Sequence, residues 1–241
     1  HLRNQGVEFQ IFFMEQADLL NFNRGLLLNA GVLILQHSGY DHFSLHDVDT
    51  IPGDVKIPYT YPEGNVPMHL TPPGIHPSVD YVDFFGGNTI FTLEQFQRVN
   101  GYGNHFWGWG KEDDNLRERL QKKGMWPTLR PKGCVPWPQQ CGRARPGHYF
   151  KHQTHAKEPE MRAAGGGKGY VKRNPDHPYG HEKILNVYPE IYQDFGKSGL
   201  NTTKFELVTV ESFYGAIKLR VELDCDKNIT PWCDASRRRR Q

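Results

Sequence analysis

The chain has 241 residues, a formal net charge of +2 and 37% hydrophobic residues. An aromatic content of 12% excludes a disordered polyelectrolyte, and the nearly balanced charge gives no argument for a nucleic-acid partner. No apolar run reaches the length of about 20 residues that a membrane helix needs, so we expect any membrane attachment through a segment outside this sequence.

The chain opens with a predicted strand, helix and strand. An apolar run at 7–14 predicts the first strand, residues 21–35 predict a helix, and residues 42–46 predict the second strand. This order is typical of a βαβ unit and predicts an α/β fold with a parallel sheet covered by helices. Ligands bind at the carboxyl ends of such strands, where Asp47 and Asp49 follow.

The middle of the chain alternates irregular and regular segments. Seven prolines between residues 51 and 77 predict an irregular excursion. Residues 81–85 resemble a strand, and residues 92–99 and 115–123 predict helices, the second of them ended by Gly124.

The C-terminal half is expected to begin irregularly. Residues 134–198 are rich in Gly, Pro and His and predict a long mobile loop region. Residues 205–210 and 216–223 predict strands, and residues 237–241 form a basic tail. We expect one domain over residues 1–236.

The cysteines and sequons indicate a secretory lumen. The cysteines form two close pairs whose spacing is typical of local disulfides: Cys134 with Cys141, and Cys225 with Cys233. Asn201 and Asn228 each begin a glycosylation acceptor pattern, although Pro231 follows the second.

Two clusters could hold a metal ion. Asp47 and Asp49, at positions i and i+2 of a turn, can share one hard divalent ion and the diphosphate that it neutralises; ordinary turn capping is the alternative. His152 and His155 can converge on one metal if their segment turns tightly; a polar loop is the alternative. A nucleotide-diphosphate substrate would favour manganese.

A third cluster, Glu112, Asp113 and Asp114, follows Trp107 and Trp109. Neighbouring charges raise the pKa of a carboxylate and make it a better proton acceptor, and indole rings stack on sugar faces. The alternative is a helix N-terminus that carries acids because the helix dipole favours them there.

These clusters resemble the β-1,4-galactosyltransferases. The run FFGGNTIFTLEQFQRVNGYGNHFWGWGKEDD at 84–114 is similar to the hallmark block of that family, and its WGWGKEDD part is highly specific. The segments at 22–24, 47–49 and 199–202 are also similar to that family, and they occur in the same order along the chain as in the family. The tail at 223–233 is similar to the subfamily that adds galactose to xylose on proteoglycan core proteins, whereas residues 134–198 match poorly.

The resemblance implies a GT-A fold, a Rossmann-like mixed sheet flanked by helices, that uses UDP-galactose and Mn²⁺ with inversion at the sugar carbon. It assigns donor binding to Phe22, Arg24, Asp47, Gly87, Glu112 and Asp113. It assigns acceptor binding to Tyr81, Trp109, Asp113 and Asp114, with Asp113 as the general base. It assigns metal binding to Asp49, with His152 and His155 as the histidine ligands.

The chain also departs from the family pattern. It begins at what resembles the family's second strand, and it has His-x-x-His where xylose-acting members have His-x-His. Phe84 and Val79 stand where relatives carry tyrosines.

The leading hypothesis is a Golgi-lumen galactosyltransferase acting on a xylosylated protein or glycan. The alternatives are an N-acetylglucosamine acceptor, an N-acetylgalactosamine donor, a sugar-binding relative without turnover, and a metal-dependent phosphodiesterase. The phosphodiesterase leaves the tryptophans unexplained.

Overall fold

The computed structural model describes residues 1–53, 57–76, 81–108, 110–131, 134, 150–152 and 194–234. These ranges contain, in chain order, β1 Phe12–Gln16, α1 Arg24–Leu35, β2 Phe43–Leu45, β3 Thr50–Pro52, β4 Met68–His69, β5 Thr89–Phe91, α2 Leu93–Arg98, α3 Glu112–Lys122, β6 Phe150–His152, β7 Phe205–Phe213 and β8 Ala216–Leu223. None of the described helices is long and apolar enough to cross a membrane.

The chain forms two compact units, each built from separate segments. Unit 1 contains His1–Phe9, Gln36–Val99 and Arg117–Ala156, and unit 2 contains Gln10–Leu35, Asn100–Leu116 and Lys157–Gln241. The expectation of one domain over 1–236 stays a prediction. Most of the predicted loop region at 134–198 and all of the tail at 237–241 lie outside the described residues.

Unit 1 contains the sheet β2-β5-β4, in which both pairings are antiparallel, and the pair β3-β6. Its core includes Ile57, Leu70 and Ile90, each with no exposed surface.

Helix α2 begins with a reciprocal cap. The Thr92 hydroxyl accepts from the Gln95 N–H and the Gln95 side chain accepts from the Thr92 N–H, a motif whose hydroxyl contributes about 1 kcal/mol.

Unit 2 contains the sheet β1-β8-β7, with β1 parallel and β7 antiparallel to the central β8. Glu15 of β1 faces Arg220 of β8 and accepts a 2.8 Å hydrogen bond from its Nε, across a separation of 205 residues. The apolar side of α1 packs in a core with β8, in which Leu26, Trp107 and Val221 are buried. A disulfide joins Cys225, which packs against that core, to Cys233, which is buried in it, as predicted.

The α/β class is confirmed, but the predicted βαβ unit is wrong. Strands β1 and β2 belong to different sheets: β1 pairs with β8, and β2 pairs antiparallel with β5. A strand-helix-strand pattern fixes the order of elements, whereas the pairing depends on hydrogen-bond partners that are distant in sequence. Residues 81–85 form turns instead of the expected strand.

The other predicted helices and strands are confirmed, most of them with shifted ends. The irregular excursion expected at 51–77 instead contains β4 and contributes Ile57, Leu70 and Ile75 to the core of unit 1. Helix α3 begins three residues before the predicted start, because its first turn is made by the acidic cluster, and Gly124 follows its end with a φ of +65°. Strand β7 continues to Phe213, beyond the predicted end at 210.

Candidate active site

The first acidic pair lies in a short turn of unit 1. Asp47 and Asp49 follow β2 and precede β3, and both residues are partly exposed. The N–H and the hydroxyl of Thr50 both donate to the Asp47 carbonyl, at 3.3 and 3.2 Å, and close the turn. Both carboxylates therefore lie in the turn after a strand, as predicted.

A polar network of unit 1 supports this turn. His46 Nδ1 donates to the Asp47 carbonyl at 2.7 Å, and His46 Nε2 lies 3.1 Å from the Tyr59 hydroxyl. Asn88 Nδ2 donates to the same hydroxyl at 3.0 Å, while Asn88 Oδ1 accepts from Ser44 Oγ. Burial raises the pKa of Tyr59, so its phenol stays protonated and can donate to His46. Sequence reasoning missed these supporting residues.

The strand β6 places the backbone of His152, a predicted metal ligand, beside the end of this turn. His152 is the register partner of Thr50, the residue after Asp49. The carboxylate and imidazole donors of Asp49 and His152 fit Mn²⁺ in chemical type. His155 lies outside the described residues. Within the described ranges, no group of three or more metal-ligating side chains is found.

The predicted nucleotide contacts lie at the start of α1 in unit 2. Phe22 is 44% exposed, and its carbonyl accepts from the Gly108 N–H at 2.7 Å. Arg24 is the first residue of α1, and the side chain of Asn23 accepts from the Leu26 N–H at 2.9 Å. This cap fixes the direction in which α1 begins and thereby the place of Arg24.

The second acidic cluster forms the first turn of α3. Arg24 Nη1 lies 2.9 Å from Asp113 Oδ1 and 3.7 Å from Glu112 Oε1, and Lys111 Nζ lies 3.1 Å from Asp114 Oδ2. Two cations and the helix dipole therefore offset the repulsion among the three carboxylates. The location expected from ordinary helix capping is confirmed. The same geometry brings together three residues that the resemblance assigned to donor binding and catalysis.

Tyr102 supports Arg24 of this cluster, and Asn29 and Asn104 in turn fix the position of Tyr102. Arg24 Nη1 donates to the Tyr102 hydroxyl at 3.4 Å, and burial raises the pKa of Tyr102. Asn29 Nδ2 donates to the Tyr102 carbonyl at 2.8 Å and to Asn104 Oδ1 at 2.9 Å, and Asn29 Oδ1 accepts from the Tyr102 N–H at 3.0 Å. Sequence reasoning missed these residues, although a single asparagine inside the apolar run LLLNAGVLIL was a visible signal.

The remaining predicted residues have other surroundings. Tyr81 is 52% exposed, and its ring meets Phe84 edge-on at 5.5 Å. Gly87 has a φ of +82°, and a Cβ there would clash with Thr71 Oγ1, so backbone conformation and packing already explain this glycine. Trp109 lies outside the described residues.

Two family models match the chain. The N-terminal region of glycosyl transferase group 7 matches residues 1–62, and the N-terminal domain of galactosyltransferase matches residues 66–141. The second match contains both the Gly87 turn and the acidic first turn of α3.

Two curated relatives match almost the whole chain. β-1,4-galactosyltransferase 7 of Drosophila melanogaster is 30% identical over 98% of this chain and 66% of its own length. Xylosylprotein 4-β-galactosyltransferase of Caenorhabditis elegans is 31% identical over 96% of this chain and 73% of its own length. The chain therefore spans about two thirds of the length of the fly relative.

A solved structure is similar over the same extent. It is a mutant of Drosophila β-1,4-galactosyltransferase 7 in complex with manganese, UDP-Gal and xylobiose. It has a TM-score of 0.74 and 30% identity, and the match covers 97% of this chain and 88% of that one. The GT-A fold is thereby confirmed. The chain belongs to the β-1,4-galactosyltransferase family.

Proposed function

We propose that this chain is the catalytic domain of an inverting, Mn²⁺-dependent galactosyltransferase. It transfers galactose from UDP-galactose to the 4-hydroxyl of xylose on a proteoglycan linker. The observation that carries the proposal is the contact of Arg24 with Asp113 and Glu112 at the start of α3. A xylosylprotein galactosyltransferase is among the relatives that match 96% of this chain.

Asp113 acts as the general base. Its carboxylate is 27% exposed, so it remains open to an incoming hydroxyl while Arg24 fixes its direction. The acceptor 4-oxygen attacks C1 of galactose on the face opposite the diphosphate, the C1–O bond to the diphosphate breaks, and UDP leaves. The hydroxyl proton passes to Asp113, and the new bond has the inverted configuration.

Glu112 and Arg24 position the donor sugar. The side chain of Glu112 is only 10% exposed and lies 3.7 Å from Arg24 Nη1, so it is held in one place before a ligand arrives. Phe22 presents an exposed ring for stacking on the nucleotide base, and Asp47 and Gly87 complete the donor contacts. On the acceptor side, Asp114 accepts hydrogen bonds from sugar hydroxyls, and Tyr81 and Trp109 offer aromatic faces.

Asp49, His152 and His155 hold the metal ion. When bound, Mn²⁺ offsets the negative charge of the diphosphate. The register of Thr50 with His152 supports this assignment, because it places the backbone of a histidine beside the Asp47–Asp49 turn. Asp49 contributes a hard carboxylate oxygen, and the two histidines contribute the imidazole nitrogens that this class of ion accepts.

We place the enzyme in the Golgi lumen. The disulfide between Cys225 and Cys233 supports an oxidising compartment, since such bonds are rare in the cytosol. The family membership of the chain agrees with this location.

The test is product formation from UDP-galactose with an aryl β-xyloside, beside an aryl N-acetylglucosaminide, each with and without Mn²⁺. We expect transfer to the xyloside only, and only with the ion. Parallel reactions with UDP-N-acetylgalactosamine test the donor.

Transfer to the N-acetylglucosaminide alone would contradict the proposed acceptor. UDP binding without transfer to either sugar would indicate a sugar-binding relative. Formation of UMP and galactose 1-phosphate without a glycoside product would indicate a phosphodiesterase, since that reaction breaks the diphosphate and not the C1–O bond.

A further inference from the structure

Two glycosylation patterns of the sequence are not used by the proposed reaction. Asn201, in a 3-10 turn at Leu200–Thr202, is exposed and followed by Thr203 at the required spacing. Its backbone N–H donates to Asn100 Oδ1 at 2.9 Å, so the turn is held in place while the side chain faces solvent. Asn201 therefore meets the accessibility that a modified asparagine needs.

The second acceptor pattern, at Asn228, is less suited to glycosylation than the one at Asn201. Asn228 is exposed, but Thr230 is only 3% exposed and Pro231 follows it. The proline restricts the backbone of Thr230. The pattern also lies inside the short loop closed by the disulfide from Cys225 to Cys233. These differences single out Asn201.

The strand β7 begins four residues after Asn201 and has an open edge. In the order β1-β8-β7 it is the outer strand, and no other strand of the described ranges pairs with its far side. Leu207, Val208 and Val210 are 41%, 43% and 61% exposed. A long edge strand with exposed β-branched and apolar side chains is a template for pairing with another chain. The bulge at Leu207–Thr209 interrupts it at one point only.

We propose that Asn201 carries an N-linked glycan that covers the open edge of β7 and prevents that edge from pairing with a second copy. The four Cα-to-Cα steps from Asn201 to Phe205, the first residue of β7, span less than about 15 Å even when extended, well within reach of an oligosaccharide. The inference rests on the lumenal location given under the proposed function.

The modification is a glycosyl transfer in the secretory pathway. Asn201 Nδ2 attacks C1 of an oligosaccharide carried on a lipid diphosphate, and the C1–O bond to the diphosphate breaks. An N-glycosidic bond forms, Nδ2 loses one proton to solvent, and the lipid diphosphate leaves.

The first test is occupancy of the site. The chain is secreted from eukaryotic cells as the wild type, Asn201→Gln and Asn228→Gln, and each is treated with peptide N-glycosidase. We expect a mobility shift in the wild type and in Asn228→Gln and none in Asn201→Gln, with peptide mass recording Asp at position 201 after release. Secreted wild type without a shift, or a released wild-type peptide that still has Asn at position 201, overturns the proposal.

The second test is association. Wild type stripped of glycan under native conditions keeps the folding history of the intact protein, so it is compared with untreated wild type by size-exclusion chromatography. We expect a shift from monomer to larger species on stripping. Val210→Lys in the stripped protein should reverse the shift by placing charge on the edge. An unchanged monomer after stripping overturns the covering role.

Galactosyl transfer measured on the same preparations separates the two proposals. An active but unmodified wild type refutes the glycan alone, and a modified but inactive wild type refutes the proposed reaction alone.

Discussion

At the scale of single residues, the decisive group is the carboxylate of Asp113. We expect Asp113→Asn to lower kcat by about 10²–10⁴-fold, because the amide cannot accept the hydroxyl proton. UDP affinity should change little, since Asn Oδ1 can still accept from Arg24. Initial rates and calorimetric UDP titration measure the two effects.

Glu118→Gln is the matched control for Asp113→Asn, because it removes the same charge from the same helix. Its kcat should equal that of the wild type. Residual turnover within tenfold of wild type in Asp113→Asn would remove this carboxylate as the base.

A second single-residue effect concerns stability and pH. His69 is 1% exposed and donates to the Gly86 carbonyl at 2.9 Å, and burial lowers its pKa to about 3. In the unfolded chain the imidazole of His69 takes up a proton with a pKa near 6.5. The stability that the folded protein gains from a neutral His69 is therefore fully present above pH 6.5. It is lost as the pH falls from 6.5 towards 3, by up to about 1.4 kcal/mol per pH unit.

Urea unfolding at several pH values between 7 and 4 measures this slope. His69→Gln keeps a donor for the Gly86 carbonyl but does not titrate, so its stability should depend less steeply on pH than that of the wild type. Equal slopes would exclude His69 as the titrating group.

At the scale of elements, the turn before β5 depends on Gly87. We expect Gly87→Ala to lower the free energy of unfolding by more than Gly64→Ala. Both glycines have positive φ, a conformation that costs another residue about 1–2 kcal/mol. Only at Gly87 does the added Cβ also clash with Thr71, whereas Gly64 has no atom within 4 Å of that position. Equal losses would show that the backbone alone requires the glycine.

The loop at 100–104 depends on Asn29 of α1. Asn29→Ala removes both donors and the acceptor that hold Tyr102 and Asn104, so we expect a loss of about 1–3 kcal/mol in the free energy of unfolding. UDP affinity should also fall, because Tyr102 supports Arg24. Denaturant unfolding and UDP titration measure the effects, and Asn65→Ala, at an exposed asparagine, should change neither.

The elements also show what a sequence can and cannot predict. The sequence predicts the acidic clusters, because their residue types and spacing are local properties of the chain. It does not predict the parallel partner of β1, since β8 lies about 200 residues away and nothing in either strand specifies the other. For the same reason the sequence does not predict the hydrogen bonds of Asn29, which join it to Tyr102 and Asn104, more than 70 residues away.

At the largest scale, the loop closed by the disulfide between Cys225 and Cys233 is hydrogen-bonded to the segment that precedes α1. Asn21 donates from its side chain to the Trp232 carbonyl at 2.6 Å and from its N–H to the Cys233 carbonyl at 2.7 Å. Replacing Cys225 and Cys233 with Ser should cost about 2–3 kcal/mol of stability, the loop-entropy value for so short a ring.

Because Asn21 immediately precedes Phe22, the same double variant should also bind UDP more weakly at temperatures where it stays folded. Thermal unfolding and UDP titration test the two parts. A lower melting temperature with unchanged UDP affinity would show that the bond acts on stability alone.

The pairing of Glu15 with Arg220 has a consequence for biogenesis. At about 5–20 residues per second, a ribosome needs roughly 10–40 s to extend the chain from β1 to β8. Throughout that time the central strand β8 is missing, so the apolar side chains of β1 and α1 stay exposed and can bind chaperones or other nascent chains. Substitutions in β8 should therefore lower the yield of folded protein from the cell more than they lower the kcat of the protein that does fold.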